Sequence, residues 1–210
     1  MYNVARNNFY RREKNATVYT PAAVSEFLFA LVRDCIAPDA LVFDPCVGAG
    51  SLLQPFRRAG FRTFGMDIEH QGFEPTLCGN YLAAERRDLL AFLGGAPGLV
   101  LANPPFNLDA KTRQLAVAQG GRRPLLPEIW LQKTLALFGR QQPLALFAPY
   151  GLRLNQTQTS ARWQKFVRGV YPPIASIVAL PKNVYPDILF HSEILLFNLR
   201  GLNAHYFMGE

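Results

Sequence analysis

The stretch ALVFDPCVGAG, residues 40–50, constrains this chain more than any other. An apolar run stops at Asp-Pro, passes through Gly48 and Gly50, and meets the helical periodicity of 51–59. A strand that turns so sharply into a helix is a building unit of layered α/β sheets. The unit recurs along the chain. Apolar runs at 98–102 and 143–148 lead to helical patterns at 128–138 and 159–170, and a short strand over 61–66 ends at Asp67. This alternation predicts a mostly parallel sheet with helices on both faces.

The last third reads differently. Residues 174–180 and 193–199 are strands joined by a Pro-rich loop too short for a crossover helix, so they pair antiparallel as a hairpin at the sheet edge. Ahead of the first strand, Val24, Phe27, Leu28, Leu31 and Cys35 share one helical face over 21–36, with Thr20 as N-cap and Pro21 as first helical residue. Over 159–170, Arg162, Lys165 and Arg168 form a solvated face opposite Trp163, Phe166 and Val170. Neither repeats nor a linker divide the chain, and 1–210 is expected to form one domain.

Half of the 210 residues are hydrophobic, enough for one well-filled core. No apolar stretch is long enough to span a membrane, and the N-terminus is too polar and aromatic for a signal peptide. Cys35, Cys46 and Cys78 are odd in number and show no CxxC spacing, and the three histidines are scattered. The expectation is a cytoplasmic protein without disulfides or a metal. A formal charge of +7 favours a polyanionic partner such as nucleic acid.

The glycine turn carries chemistry. Without a Cβ at positions 48 and 50 the backbone can bend tightly and a ligand can approach it, while the amides opening the next helix form a positive lip. Asp67 follows about twenty residues on, where a carboxylate can accept from both hydroxyls of a ribose. The set signals an adenosine-containing cofactor. A nicotinamide cofactor would want a third glycine where Leu53 stands, and Asp44 would repel a pyrophosphate. S-adenosyl-L-methionine, cationic and free of phosphate, fits better.

With NPPF at 103–106, the motif order resembles that of N6-adenine (amino) DNA methyltransferases, in the arrangement of the γ group and of type I modification subunits. VYTP (18–21) resembles their methionine-binding motif, DPCVGAG (44–50) the DPxxGxG signature, and GMDI (65–68) the ribose-binding acid. RDLL (87–90) resembles the acidic adenine contact, NPPF the catalytic [DNS]PP[YFW] motif, and LPKNVY (180–185) a motif bordering the target base. The resemblance spans roughly 18–200. It implies a Rossmann-like S-adenosylmethionine-dependent methyltransferase fold, with a mostly parallel seven-stranded sheet. It also implies methyl transfer to the N6 amine of a flipped adenine in DNA, with DNA preferred to RNA.

Carried over position by position, the cofactor contacts fall on Tyr19, Thr20, Asp44, Pro45, Cys46, Gly48, Gly50, Ser51, Asp67, Ile68, Asp88, Leu89 and Asn103. Thr20 would hold the methionine carboxylate region, Asp44 and the glycine turn the amino-acid moiety, Asp67 the ribose and Asp88 the adenine N6. Asn103 and Pro104 would offer oxygen acceptors to the amine, the pair Pro104–Pro105 would stiffen them, and Phe106 would stack on the base. Tyr185 would border that base, and Tyr150, Arg153 and Asn155 would line the same cleft.

For the nucleic-acid backbone the residues proposed are Lys111, Arg113, Arg122 and Arg123, in a mobile substrate loop over 107–126, together with a basic arm over 1–19. Larger members of the family carry a separate target-recognition domain, which is not expected in this chain. Nonspecific action, recognition borrowed from a specificity partner chain, and loop-based recognition stay open. Methylation of RNA adenine or of a protein glutamine amide, and a cofactor-binding module active only with a partner, are the alternatives.

Overall fold

A computed structural model describes residues 19–106, 125–154, 156–185 and 191–209. The expectations for the N-terminal arm before Tyr19, for Lys111, Arg113, Arg122 and Arg123, and for Asn155 lie outside the described residues.

Among the described residues eight strands form one sheet: β1 (Leu41–Asp44), β2 (Arg62–Asp67), β3 (Thr76–Cys78), β4 (Leu99–Ala102), β5 (Leu144–Pro149), β6 (Ile174–Ala179), β7 (Ser192–Phe197) and β8 (His205–Phe207). Their spatial order is β3-β2-β1-β4-β5-β7-β6-β8. The pairs from β3 across to β5 are parallel, and β7 runs antiparallel between β5 and β6. The fold class is as expected, with one strand more than seven. The β6–β7 hairpin forms, but β8 pairs parallel with β6 and takes the edge from it.

The helices are α1 (Ala22–Val32), α2 (Gln54–Arg58), α3 (Arg86–Leu93), α4 (Leu126–Phe138), α5 (Gly151–Leu154) and α6 (Ala161–Val167). Strand side chains alternate between two apolar layers, as the period of two requires. Phe43, Val100, Leu146 and Leu195 meet α3 and α4 on one face. Val42, Leu101, Phe147 and Ile194 meet α1 and α2 on the other. Burial on both faces is why these strands read as continuous apolar runs.

Two local expectations change. Pro21, not Thr20, is the N-cap of α1, with extended dihedrals and no side-chain cap. Helix α6 has no solvated basic face over its whole length. Arg162 Nε donates to Glu128 Oε2 at 2.6 Å and Lys165 Nζ to Glu128 Oε1 at 3.3 Å, whereas Val170 is exposed. A buried carboxylate on α4 draws the cations inward, because an unpaired charge there would be costly.

The topology also fixes where a ligand can sit. From β1 the chain crosses to β2 on one side, and from β4 it crosses to β5 on the other. Adjacent strands whose following segments diverge open a crevice beyond their carboxyl ends. The segments leaving β1 and β4 are the glycine turn and NPPF.

Candidate functional site

Asp44, the last residue of β1, is 1% exposed, and its Oδ1 accepts from the Cys46 backbone N–H at 2.9 Å. Burial pushes its carboxyl up to about 7, partly offset by the Cys46 N–H and helped by the nearby Asp67 charge. The turn then bends through Gly48 at φ 49° and Gly50 at φ 84°. At Gly50 a second demand applies, since a Cβ there would lie 2.0 Å from the Phe73 ring. Phe73 belongs to the segment after β2 and carries the Arg57 guanidinium 3.8 Å from its ring centroid. The glycine turn and the segment after β2 therefore pack as one unit.

Asp67 closes β2 opposite this turn. Its Oδ2 accepts from the Gly48 N–H at 2.8 Å and its Oδ1 from the Glu69 N–H at 3.3 Å. Each carboxylate oxygen keeps a lone pair for a hydroxyl donor. Ile68, 72% exposed, stands beside it. Above Gly48 lies the Tyr19 ring, whose hydroxyl donates to Gln71 Oε1 at 2.9 Å. Pro45 is buried, and Ser51 is half-buried where the turn leads into α2.

Asn103 opens NPPF and follows β4 beside β1, the strand that leads into this turn. The side-chain Nδ2 donates to Thr20 Oγ1 at 2.9 Å and to the Tyr185 hydroxyl at 3.4 Å. No described residue hydrogen-bonds to its Oδ1. Thr20 is thus buried not as a helix cap but as an acceptor for the amide. Burial first, then Asp44, holds the Cys46 thiol well above its ordinary value, so Cys46 is a neutral packing group. Burial likewise keeps the Tyr185 phenol protonated. Pro104 is buried, Pro105 exposed, and Phe106 half-buried against the α1–α2 core.

Two positions in the adenine-contact motif do not join this assembly. Asp88 sits in the first turn of α3, exposed and paired with Arg87 at 3.0 Å, and no described contact links it to the glycine turn. Leu89 is 1% exposed within the α3–α4 core. The polar side chain beside Asp67 is instead Asn80, two residues past β3, where Gly79 N–H donates to Asp67 O at 2.7 Å. Asn80 Oδ1 caps the turn Tyr81–Ala83 by accepting from Leu82 N–H at 3.0 Å, leaving its amide nitrogen for a ligand. The signal for it was the polar GN pair closing TLC, which is too short to read as a strand.

A depression of about 460 Å³ lies at the opposite, amino edge of the sheet, lined by Cys35, Asp39, Arg62 and Gly94 among others, and holds none of these motif residues. Among the described residues no cluster of His, Cys, Asp and Glu could hold a metal ion, and no helix is long and apolar enough to cross a membrane.

The crevice offers two carboxyl groups as acceptors and backbone amides as donors. That set suits ribose hydroxyls and a cationic amino-acid moiety and is unsuited to a phosphate. The fold matches that of Rossmann-like S-adenosylmethionine-dependent methyltransferases. No protein-family model matches the sequence, and no curated protein matches it. Among solved structures, the type IIG restriction endonuclease BpuSI superposes with a TM-score of 0.66 at 14% identity, over 91% of this chain and 26% of its own.

A Listeria monocytogenes protein assigned as a class I S-adenosylmethionine-dependent methyltransferase gives 0.66 at 14% identity, over 95% of this chain and 68% of its own. The methyltransferase subunit of a type I restriction-modification system from Streptococcus thermophilus gives 0.63 at 17% identity, over 93% and 48%. This chain therefore spans about a quarter of BpuSI and about half of the type I subunit.

Proposed function

We propose that this chain is an S-adenosylmethionine-dependent methyltransferase that modifies the N6 amine of adenine in DNA. One observation supports this above others. Asn103 follows β4 beside β1 and donates through its side chain to Tyr185 and to Thr20, whose neighbour Tyr19 lies against Gly48, so the amide and the cofactor-type turn share one crevice. The likeness to a type I methyltransferase subunit and to a type IIG endonuclease favours DNA as substrate.

In this reading S-adenosylmethionine, when bound, supplies a methyl group on an electron-poor sulfonium. Asp44, Gly48, Asp67 and Asn80 hold it by its amino group, main chain contacts, ribose and adenine. An adenine amine is a weak nucleophile because its lone pair is delocalised into the ring. Asn103 Oδ1 and the Pro104 carbonyl accept its two hydrogens and favour a tetrahedral nitrogen. Thr20 and Tyr185 fix the amide by taking up its Nδ2 hydrogens, so Oδ1 needs no reordering when the base arrives. Phe106 and Tyr185 flank the flipped ring.

In this proposal Lys111, Arg113, Arg122 and Arg123 contact the nucleic-acid backbone, and the enzyme acts nonspecifically or takes its target recognition from its loops or from a specificity partner chain. Incubation with methyl-labelled cofactor and unmethylated mixed-sequence DNA should yield N6-methyladenine. Label found only in RNA adenine or in a protein glutamine amide moves the substrate assignment. Label in no acceptor, with tight cofactor binding, favours a module that needs a partner.

A further inference from the structure

At the carboxyl end of β5 a second aromatic site stands beside the crevice. Tyr150 follows the last residue of β5, and His191 precedes the first residue of β7, which pairs with it. Their ring centroids are 5.5 Å apart with planes inclined by 30°, and Tyr150 N–H donates to His191 O at 3.4 Å. His191 is exposed and Tyr150 half-buried. A polar brace holds Tyr150 in place. The Arg153 guanidinium lies 5.8 Å from its ring centroid, and Arg153 Nε donates to Glu193 Oε1 at 2.9 Å and Oε2 at 2.8 Å. Glu193 is fully buried in β7, so this ion pair is a fixed internal structure and not a free cation for phosphate.

The position matters. Ala102 of β4 lies opposite Leu146 of β5, so Asn103 is level with Phe147 and Tyr150 stands three residues beyond it. At about 3.3 Å per residue this is roughly 10 Å along the strands. That separation corresponds to roughly one to three nucleotide steps. The direction is set by Tyr185, which comes off the β6 end and reaches Asn103, so both aromatic groups border one opening.

We propose that Tyr150 and His191 form a stacking platform for an unpaired base of the substrate strand beside the flipped adenine, with Arg153 and Glu193 as positioning residues. This rests on the nucleic-acid reading above. A π-face accepts any base, so the platform would hold the strand without reading its sequence, in keeping with adenine selection at Asn103.

The test compares a fluorescein-labelled mixed-sequence single strand with a strand of the same length in which the bases are replaced by abasic residues, each bound to the full chain. The base-bearing strand should bind on the order of tenfold more tightly. His191→Ala and Tyr150→Ala should each bring the ratio to within about twofold, and Tyr150→Trp should preserve it. Cofactor affinity should be unchanged in all three, which shows that each variant is folded. Arg153→Lys keeps the charge against Glu193 but loses the planar group, and an intermediate ratio is expected. A ratio equal to the parent's in Arg153→Lys removes the positioning role. Equal binding of both strands by the parent, or an undiminished ratio in the alanine variants, overturns the platform while leaving methyl transfer to DNA intact. Absence of any transfer to nucleic acid overturns the reading on which it rests.

Discussion

Replacing Gly50 by alanine tests whether the glycine turn and the segment after β2 are one packed unit. The new Cβ would lie 2.0 Å from Phe73 Cδ2 and 2.8 Å from two further ring atoms, with the backbone at φ +84°. Phe73 is 3% exposed and already carries Arg57 against its ring, so it has little room to retreat. A non-glycine residue in this backbone region costs about 1–3 kcal/mol, and overpacking adds about 1–3 kcal/mol more. Together these predict a loss of about 2–6 kcal/mol and, for a domain of this size, a fall in Tm of roughly 5–20 °C. Gly60 provides the control, because its φ is +89° but nothing lies within 4 Å of a Cβ there. Thermal unfolding by circular dichroism, with cofactor affinity by calorimetry, measures both. Gly50→Ala should fall well below Gly60→Ala in Tm and lose cofactor affinity, which Gly60→Ala retains. Equal Tm values for the two variants would refute the packing of Phe73 on the turn.

Asp44 has its folded carboxyl raised to about 7 by burial, so it contributes stability at low pH that is lost as pH rises from the ordinary carboxylate range through 7. Asp44→Asn should therefore stabilise the cofactor-free protein by up to about 4 kcal/mol at pH 8 and by less at pH 5, while weakening binding of a cationic cofactor; a pH series of melting curves and calorimetry checks both. Thr20→Val removes the acceptor of the Asn103 Nδ2 hydrogen at nearly constant volume, and kcat/KM for methyl transfer should fall roughly fivefold to thirtyfold with little change in Tm.

For Glu128, burial alone would raise the carboxyl, but the bonds and charges of Arg162, Tyr171 and Lys165 outweigh it and the value is lowered. Its contribution is thus present above the ordinary glutamate range and lost as pH falls below it. Glu128→Gln should cost about 3–5 kcal/mol at neutral pH, seen in denaturant melts, because Arg162 is left buried beside a neutral amide.

The elements most legible in the sequence are those that bury two faces. The runs at Leu41–Asp44, Leu99–Ala102 and Leu144–Pro149 announce themselves because no solvent-facing residue interrupts them. Strands β3 and β8 escape the same reading because Thr76–Cys78 and His205–Phe207 have three residues each, lie at the edges and leave side chains exposed. Thr20 looks like a cap since Pro21 follows it; only the fold reveals that its hydroxyl faces Asn103, which is 83 residues away. The same distance problem hides Phe73, whose match to Gly50 has no local signature.

Asp88 is a different case. Its charge and the following leucines fit a motif, but the helical pattern of Arg86–Leu93 turns it to solvent with Arg87 and leaves Asn80 at the strand end. Asp44, Gly48, Gly50, Asp67 and Asn103 lie at strand ends or in a tight turn, positions that short stretches of chain encode. Tyr150 reads in the sequence as a cleft-lining residue after a strand, but its pairing with His191 depends on β7 lying beside β5.

In the proposed reaction the Asn103 amide grips an adenine amine next to the glycine turn. The most direct measurement of this role is sequencing for modified adenine in DNA from an unmethylated host expressing either the parent chain or Asn103→Ala. N6-methyladenine with the parent and a fall of at least about a hundredfold with Asn103→Ala is the predicted result, a loss in the range expected for one group stabilising the transition state. Equal modification by the two chains would rule out that role for Asn103.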